Sequence, residues 1–305
     1  MGNLCCNFQG VVNQLCNPKD KAEDPKTIEL DIGTSLFGLL GYDKIAGMFS
    51  EVSASLQESR ISNEGDFLVN LQFDQYTALV RIWGLLTPQP DTANKLHHYY
   101  TERELPFTPG LFILFTVNTT PDVMKAIDAN IDSYETLSCE TSANMILTVH
   151  RFRTKKLLFV AAKEFFVVRV IKRTAGGEFW EFTQSVQFTN LKANESFGRI
   201  ISELENQAFV NSSGMHIYEQ NGKTLIKGLV RVDILSSVGM RVLKPILKKK
   251  MGAVHTNLLD ELVTFIKAGD NNARELVWFE GRGDEISGII SDNQNVLRAL
   301  SNRDR

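Results

Sequence analysis

Two kinds of acceptor for covalent lipid attachment lie side by side at the start of the chain. Gly2 becomes N-terminal once Met1 is removed and is the position that accepts a myristoyl chain, while the adjacent thiols of Cys5 and Cys6 accept palmitoyl chains. The usual pattern has Ser or Thr at the sixth position, where this chain has Cys6. One acyl chain holds a protein reversibly and two hold it stably, so these residues predict a lipid anchor. The alternative is a frayed terminus with two exposed thiols.

The composition is that of an ordinary globular protein and excludes several functional classes. The chain has 305 residues, 43% of them hydrophobic, and a net charge of -3, which gives no general attraction to nucleic acid. Four cysteines, three of them among the first 16 residues, do not make a disulfide framework and favour a reducing compartment. Neither a secretory signal nor an apolar run of about 18 residues is present. We therefore expect the protein at the cytoplasmic face of a membrane.

The residues that could catalyse a reaction do not form recognisable sites. His97 and His98 are adjacent on a predicted strand, so their side chains point to opposite faces and cannot share a metal ion. His216 and His255 are isolated, and the sequence has neither a glycine-rich phosphate loop nor a nucleophile elbow. We predict a protein without cofactor, metal or catalytic residues, although helix-grip enzymes follow no fixed motif.

The order of the elements indicates how the chain is organised. Residues 1–26 are a polar tether, and residues 27–91 carry apolar residues at helical spacing, which predicts a helical extension. Residues 92–268 change to strand patterns, interrupted by a short helix that Pro121 opens, and residues 269–305 predict a polar mobile tail with a short helix at about 286–300. Strands are predicted at 97–102, 111–118, 144–153, 157–162, 165–172, 179–188, 195–205, 214–219 and 225–233.

One long helix follows the strands and sets the fold class. Apolar residues recur on one face from about residue 240 to 266, a length of roughly 40 Å. Turns at 174–177 and at Asn221-Gly222 join neighbouring strands as hairpins. The economical arrangement is an α+β fold in which a curved antiparallel sheet wraps around the long C-terminal helix, with extra N-terminal helices.

Several motifs in residues 92–268 resemble those of the steroidogenic-acute-regulatory-related (START) lipid-transfer domains. Lys163-Glu164-Phe165-Phe166-Val167-Val168-Arg169 is similar to the family's Arg-Asp-Phe-Val-x-x-Arg strand, with Lys and Glu in place of Arg and Asp. Gln184-Ser185-Val186 is similar to its Ser-Val strand, and Val230-Arg231-Val232-Asp233 to the strand before its last helix. The family's Trp-Asp after the short helix is missing, and Ala129-Asn130-Ile131-Asp132 stands there.

The resemblance implies a helix-grip fold with an apolar tunnel that holds one lipid, either a phospholipid or a sterol, in a monomer. It implies that Arg169 lies in the cavity and orients the lipid head, so that Arg169→Leu would abolish binding of a charged-head lipid but leave the fold. The alternative is a solvent-facing Arg169 beside Lys172 and Arg173. The family's acidic partner is replaced by His150 at roughly that place. The other lining candidates are Phe165, Val167, Ser185, Arg231, Asp233, Leu243 and Leu247.

A basic cluster marks the first half of the long helix, at Lys244, Lys248, Lys249 and Lys250. On a lid helix these lysines would contact anionic phospholipid, at about 1 kcal/mol for each cation. The alternative is a solvated face. Two other functions stay open beside lipid transfer: a membrane-tethered adaptor whose cavity is filled by side chains, and a small-molecule enzyme on the same fold.

Overall fold

The computed structural model describes residues 28–30, 50, 52–54, 67–73, 76–88, 96–155, 162–188, 208, 210, 213–233, 240–269 and 275–302. Of residues 28–30, 67–73, 76–88, 96–99, 186–188, 232–233, 240–249 and 251 it describes the backbone alone. The predictions for the tether, including Gly2, Cys5 and Cys6, and for strands at 157–162 and 195–205 lie outside the described residues.

Ten strands and four helices of the described chain have defined bounds, and residues 52–54 are also helical. They are β1 (Ile28–Leu30), β2 (Phe67–Phe73), β3 (Tyr76–Pro88), β4 (Leu96–Leu105), α1 (Pro109–Val117), α2 (Pro121–Ile127), β5 (Ile131–Thr141), β6 (Met145–Thr154), β7 (Glu164–Arg173), β8 (Phe179–Phe188), β9 (Ser213–Gln220), β10 (Lys223–Asp233), α3 (Met240–Ala268) and α4 (Asp284–Ser301).

The strands form one open, curved antiparallel sheet in the order β2-β3-β4-β10-β9-β8-β7-β6-β5. β1 pairs in parallel with the end of β8, where Ile28 lies opposite Val186. β9 and β10 are joined by the predicted hairpin, in which Asn221 and Gly222 both have positive φ, at 55° and 72°. The predicted α+β class and the gripping of a long C-terminal helix are confirmed.

The face of the sheet that packs against the helices is called here the inner face. Phe165, Val167 and Ile171 of β7 belong to it, because they share one core cluster with apolar residues of all four helices. The alternating residues Phe166 and Val168 are also fully buried, on the opposite, outer face. Both faces of the sheet centre are therefore covered.

Helix α3 lies against the inner face through one continuous stripe. Its buried residues recur at helical spacing, as the sequence predicts, and are Val254, His255, Leu258, Leu259, Leu262, Val263 and Ile266. None of the described helices has the length and apolar character needed to cross a membrane.

The prediction of a strand at 111–118 is wrong, because this segment is helix α1. Thr108 caps the helix, its Oγ1 accepting a hydrogen bond from the Leu111 N–H at 3.4 Å, and Pro109 occupies the first turn. The residues from Leu111 to Thr116 are all buried, so the helix has no polar face that would reveal a helical period.

Within the predicted helical extension, the helical pattern over residues 67–83 is also wrong, because this stretch forms strands β2 and β3. The two strands pair with each other, with Phe73 opposite Tyr76, and β3 then pairs with β4. Phe67, Val69, Leu71 and Phe73 recur at every second position, which fits a strand, while Phe67, Leu68 and Leu71 also fit a helical spacing. The first two long strands therefore extend the sheet edge beyond β4.

Residues 275–302 are packed on the core, so the predicted mobile tail is wrong over this range. Helix α4 buries Ile286, Ile290 and Leu297 on one face, and Trp278 and Phe279 are buried just before it. The tail is apolar at these spaced positions although its overall composition is polar. The segment covers helix α1 and closes that side of the domain.

Two side-chain amides, of which that of Asn293 is buried, fix this segment to α1. Asn293 is fully buried; its Oδ1 accepts the Thr108 N–H at 2.9 Å, and its Nδ2 donates to Thr108 Oγ1 at 2.8 Å. At the other end of α1, the Asn118 Oδ1 accepts the Val277 N–H at 2.7 Å, and its Nδ2 donates to the Leu114 carbonyl at 2.8 Å. These bonds satisfy backbone groups at both termini of a helix that is otherwise surrounded by apolar side chains.

Candidate functional site

A row of polar side chains crosses the inner face at the middle of the sheet. Cross-strand pairing places Cys139, Thr148, Arg169, Thr183 and Ser213 beside one another on β5 to β9. Because side chains directly opposite in an antiparallel sheet share a face, the row lies among the apolar residues that meet the helices. An apolar interior with a few placed polar groups is the usual chemistry of a ligand site.

Arg169 is the centre of this row and is buried, with 3% of its surface exposed. Its Nη2 donates to Glu181 Oε2 at 2.6 Å and to Thr116 Oγ1 at 2.8 Å, and its Nη1 donates to the Thr116 carbonyl at 2.9 Å. The structure thus places Arg169 inside the domain, as the resemblance implies, and rejects the solvent-facing alternative. The acidic partner is Glu181 on the following strand, and His150 does not take that role.

The charge of Arg169 keeps Glu181 ionised inside the protein. Burial alone would raise the pKa of Glu181, but the Arg169 charge and the hydrogen bonds from Arg169 and Thr183 outweigh it and hold the pKa below its usual value. Of the three guanidinium nitrogens of Arg169, only Nε has no hydrogen-bond partner within the described residues. The group is therefore almost fully satisfied without a ligand.

His150 lies next to this cluster on the same face, and both of its ring nitrogens are bonded. Its Nδ1 is 2.8 Å from the Tyr134 hydroxyl and 3.2 Å from Thr136 Oγ1, and its Nε2 is 2.7 Å from Thr148 Oγ1. Burial, and then the charge of Arg169, lower the pKa of His150 well below its usual value. His150 is a neutral neighbour of the polar row, with both ring nitrogens bonded.

A second buried arginine, which the sequence interpretation missed, lies on the other side of the inner face. Arg103 of β4 is 2% exposed, and its Nε donates to the Nδ1 of His255 on helix α3 at 3.2 Å. Four strand-to-strand steps separate β4 from β7, or roughly 19 Å across the sheet. His255 interrupts an apolar helical stripe, and that interruption is the signal that could have found the pair.

The imidazole of His255 is held neutral by its surroundings. Burial, and then the charge of Arg103, lower the pKa of His255 well below its usual value. Its Nε2 is buried and has no hydrogen-bond partner within the described residues. An unpaired buried N–H costs about 1–3 kcal/mol, so this atom needs an explanation.

The other predicted lining residues fall into three groups. Phe165 and Val167 belong to the inner core, and Ser185 is buried and accepts the Val210 N–H at 2.7 Å. Arg231 alternates with the core residue Val230, so it lies on the outer face and its assignment to the lining is wrong. For Asp233, Leu243 and Leu247 the structure gives positions in β10 and α3 but no side chains.

Among the four lysines of the basic cluster on α3, the structure describes the side chain of Lys250. Lys250 is half-buried, and its Nζ donates to Asn130 Oδ1 at 2.9 Å, beside the acidic Asp128. Burial lowers the pKa of Lys250, and the Asp128 charge opposes that shift. This lysine is therefore engaged within the domain. Lys244, Lys248 and Lys249 lie in the first half of the helix, where the backbone alone is described.

Comparison with known proteins gives matches among solved structures alone. No family model matches the chain, and no curated protein matches it. Human StAR-related lipid transfer protein 5 is 14% identical with a TM-score of 0.49, covering 74% of this chain and 99% of that one. Human STARD10 is 14% identical with a TM-score of 0.43, covering 68% and 78%. A STAR-related lipid transfer protein fragment from Xanthomonas axonopodis is 9% identical with a TM-score of 0.43, covering 65% and 99%.

The fold class rests on the strand order, the pairing and the helix contacts of this chain itself. The solved structures to which the chain is similar are StAR-related lipid transfer domains.

Proposed function

We propose that this protein binds one lipid between the inner face of its sheet and helix α3, and that it does so without catalysing a reaction. The observation that supports the proposal is the set of buried polar groups within an apolar interior. Arg103 and His255 lie among aliphatic and aromatic side chains, and the buried Nε2 of His255 has no partner within the described residues. Buried charged groups add little to stability compared with apolar residues of similar size, so their presence favours a role with an amphipathic ligand.

The lipid would be held by desolvation of its apolar part and by hydrogen bonds to its polar group. The inner face offers Phe165, Val167 and Ile171 from one strand, and α3 offers Leu258 and Leu262 from the opposite side. Apolar burial contributes about 25 cal/mol for each Å² removed from water, which is the main source of affinity for an acyl chain or a sterol ring. Movement of α3 would admit the ligand.

Native mass spectrometry of protein purified from cells tests this function. We expect the protein ion to carry one co-purified lipid, which is lost when the protein is unfolded in the same solvent. Recovery of ligand-free protein that also takes up no lipid from vesicles would contradict the proposal.

A second candidate, an adaptor with a filled interior, is favoured by one specific observation. Helix α1 is buried on all sides, and its residue Thr116 reaches Arg169, so side chains of the protein itself occupy part of the space above the sheet. Ligand-free protein in the experiment above would support this candidate instead.

We also propose that the protein is a monomer held at the cytoplasmic face of a membrane by acylation of Gly2, Cys5 and Cys6. The N-terminal sequence supports this anchor, and Lys244, Lys248 and Lys249 would add contact with anionic lipid. Gly2→Ala should move the protein from the membrane fraction to the soluble fraction, whereas the matched variant Gly10→Ala should leave it membrane-bound. Retention of Gly2→Ala at the membrane would contradict the anchor and direct attention to the lysines.

A further inference from the structure

His255 is an unusual residue for the buried stripe of helix α3. Among the described residues of this helix, every other fully buried side chain is aliphatic. His255 is 1% exposed and faces Arg103 of strand β4, so it lies where the helix meets the inner face. A histidine at this position needs partners for two ring nitrogens, and an aliphatic residue would need none.

The hydrogen bond from Arg103 determines the tautomer of this histidine. A guanidinium only donates, so the Nδ1 that receives the Arg103 Nε–H at 3.2 Å must carry the lone pair. The neutral ring then carries its hydrogen on Nε2. That N–H is buried, and the described residues provide no acceptor for it.

The other buried polar groups at the centre of the inner face have more of their atoms paired. His150 has partners at both ring nitrogens, and Arg169 directs both of its terminal nitrogens to Glu181 and Thr116. Arg169 also keeps one unpaired nitrogen, its Nε, but Glu181 offsets its charge. The missing partner of His255 is an acceptor oxygen. The adjacent positive charge of Arg103 favours an anionic oxygen over a neutral one.

We propose that His255 and Arg103 bind the carboxylate or phosphate oxygen of the lipid, whose apolar part lies along the inner face. The proposal rests on the proposed lipid-binding function and specifies its ligand class as a lipid with an anionic head. Arg169, which the sequence interpretation assigned to the head, is a closed internal pair instead. His255 Nε2 donates the hydrogen bond, and Arg103 supplies the charge.

Two pairs of probes with matched chains test the ligand class. Dioleoyl phosphatidic acid is compared with dioleoylglycerol, and oleate with oleyl alcohol, each as a competitor for a fluorescent lipid bound by the full chain. In at least one pair, we expect the anionic member to bind about tenfold or more tightly than its neutral partner, since a hydrogen bond to a charged group is worth at least that factor. A preference for phosphatidic acid over dioleoylglycerol identifies the ligand head as a phosphate. A preference for oleate over oleyl alcohol identifies it as the carboxylate of a fatty acid.

His255→Phe removes the donor and keeps a flat ring of similar size, so it should reduce this preference about tenfold. His216→Phe is the matched control, because His216 lies on the outer face, stacked between Trp180 and Tyr218. We expect the control to keep the wild-type preference. His255→Gln, which retains a donor, should restore part of it. Circular dichroism tests whether each variant is folded. If His255→Phe is unfolded, the wild-type affinity ratios and the ratios of His255→Gln test the assignment of His255.

The outcomes separate the inference from the function on which it rests. If the wild-type protein binds anionic and neutral members equally, or if folded His255→Phe keeps the preference, the assignment of His255 is overturned while lipid binding stands. If none of the four probes binds and no lipid co-purifies, the proposed function is overturned and the inference with it.

Discussion

Two buried arginines lie on the same face of the sheet, and their partners differ. Arg169 meets the carboxylate of Glu181 and both oxygens of Thr116, which makes a nearly closed network. Arg103 meets the neutral ring of His255, whose second nitrogen has no partner within the described residues. Burial of a charge therefore does not by itself mark a ligand site. A ligand site is better identified by a buried polar atom, such as His255 Nε2, for which the protein supplies no hydrogen-bond partner.

The largest effect should come from breaking the closed network. Arg169→Met leaves Glu181 buried without its counter-charge, so we expect a loss of about 3–5 kcal/mol in the free energy of unfolding. This expectation differs from the prediction that removing Arg169 would leave the fold intact. Chemical denaturation measures it, and the double variant Arg169→Met with Glu181→Leu should recover much of the loss. Equal stability of Arg169→Met and wild type would show that the pair is not a structural unit.

A smaller loss should follow from removing one acceptor of Arg169. Thr116→Val keeps the shape of the side chain but deletes the oxygen 2.8 Å from Nη2, at an expected cost of about 1.5–3 kcal/mol. Thr264→Val is the matched control, because the Thr264 hydroxyl donates only to the Asp260 carbonyl on an exposed helix face. Denaturation midpoints compare the two variants, and equal losses would contradict the special role of Thr116.

The neutral state of His255 should be visible in the pH dependence of stability. The pKa of His255 is lowered in the folded protein, while the unfolded chain takes up its proton near the ordinary value of 6.5. Stability supplied by the neutral ring is therefore present above pH 6.5 and decreases as the pH falls below it. His255→Phe should remove about 1.4 kcal/mol per pH unit from the slope between roughly pH 5 and 6.5. His150 contributes the same slope in the wild type and in His255→Phe, so it cancels in the comparison. An equal slope in the two proteins would show that His255 is protonated in the folded protein.

The smallest effect should come from an arginine on the same strand and face as Arg169 but at the surface. Arg173 pairs with Glu285 at 2.7 Å, and the two side chains are 21% and 36% exposed. We expect Arg173→Met to cost about 0–1 kcal/mol, since solvent screens such a pair. A loss as large as that of Arg169→Met would mean that burial does not distinguish the two arginines. Denaturation under the same conditions makes the comparison.

Several elements could be predicted from the sequence because local chemistry determines them. The Asn221-Gly222 turn, the helix that Pro121 opens and the long apolar stripe of α3 each follow from residue type and spacing. The segments that failed are those where tertiary burial decides. Helix α1 is apolar on every side, and the Phe67–Phe73 strand carries apolar residues at two periods at once.

The partner of Arg169 could have been found from the sequence by counting along the hairpin. The turn after β7 pairs Arg173 with Phe179, so Arg169 lies opposite Thr183 and on the same face as Glu181. The Arg103–His255 contact could not have been found in this way, because 152 residues separate its members and they belong to a strand and a helix. Only the packing of α3 on the sheet brings them together.

The bond between Thr108 and Asn293 also constrains how the domain forms during synthesis. The two residues are 185 positions apart, and at a translation rate of about 5–20 residues per second the second emerges roughly 10–40 s after the first. Throughout that interval the apolar surface of α1 lacks the segment that will cover it. A nascent chain in this state is a substrate for chaperones, and the tolerance of the protein for mutations in α4 will depend on how long that surface can be kept from aggregating.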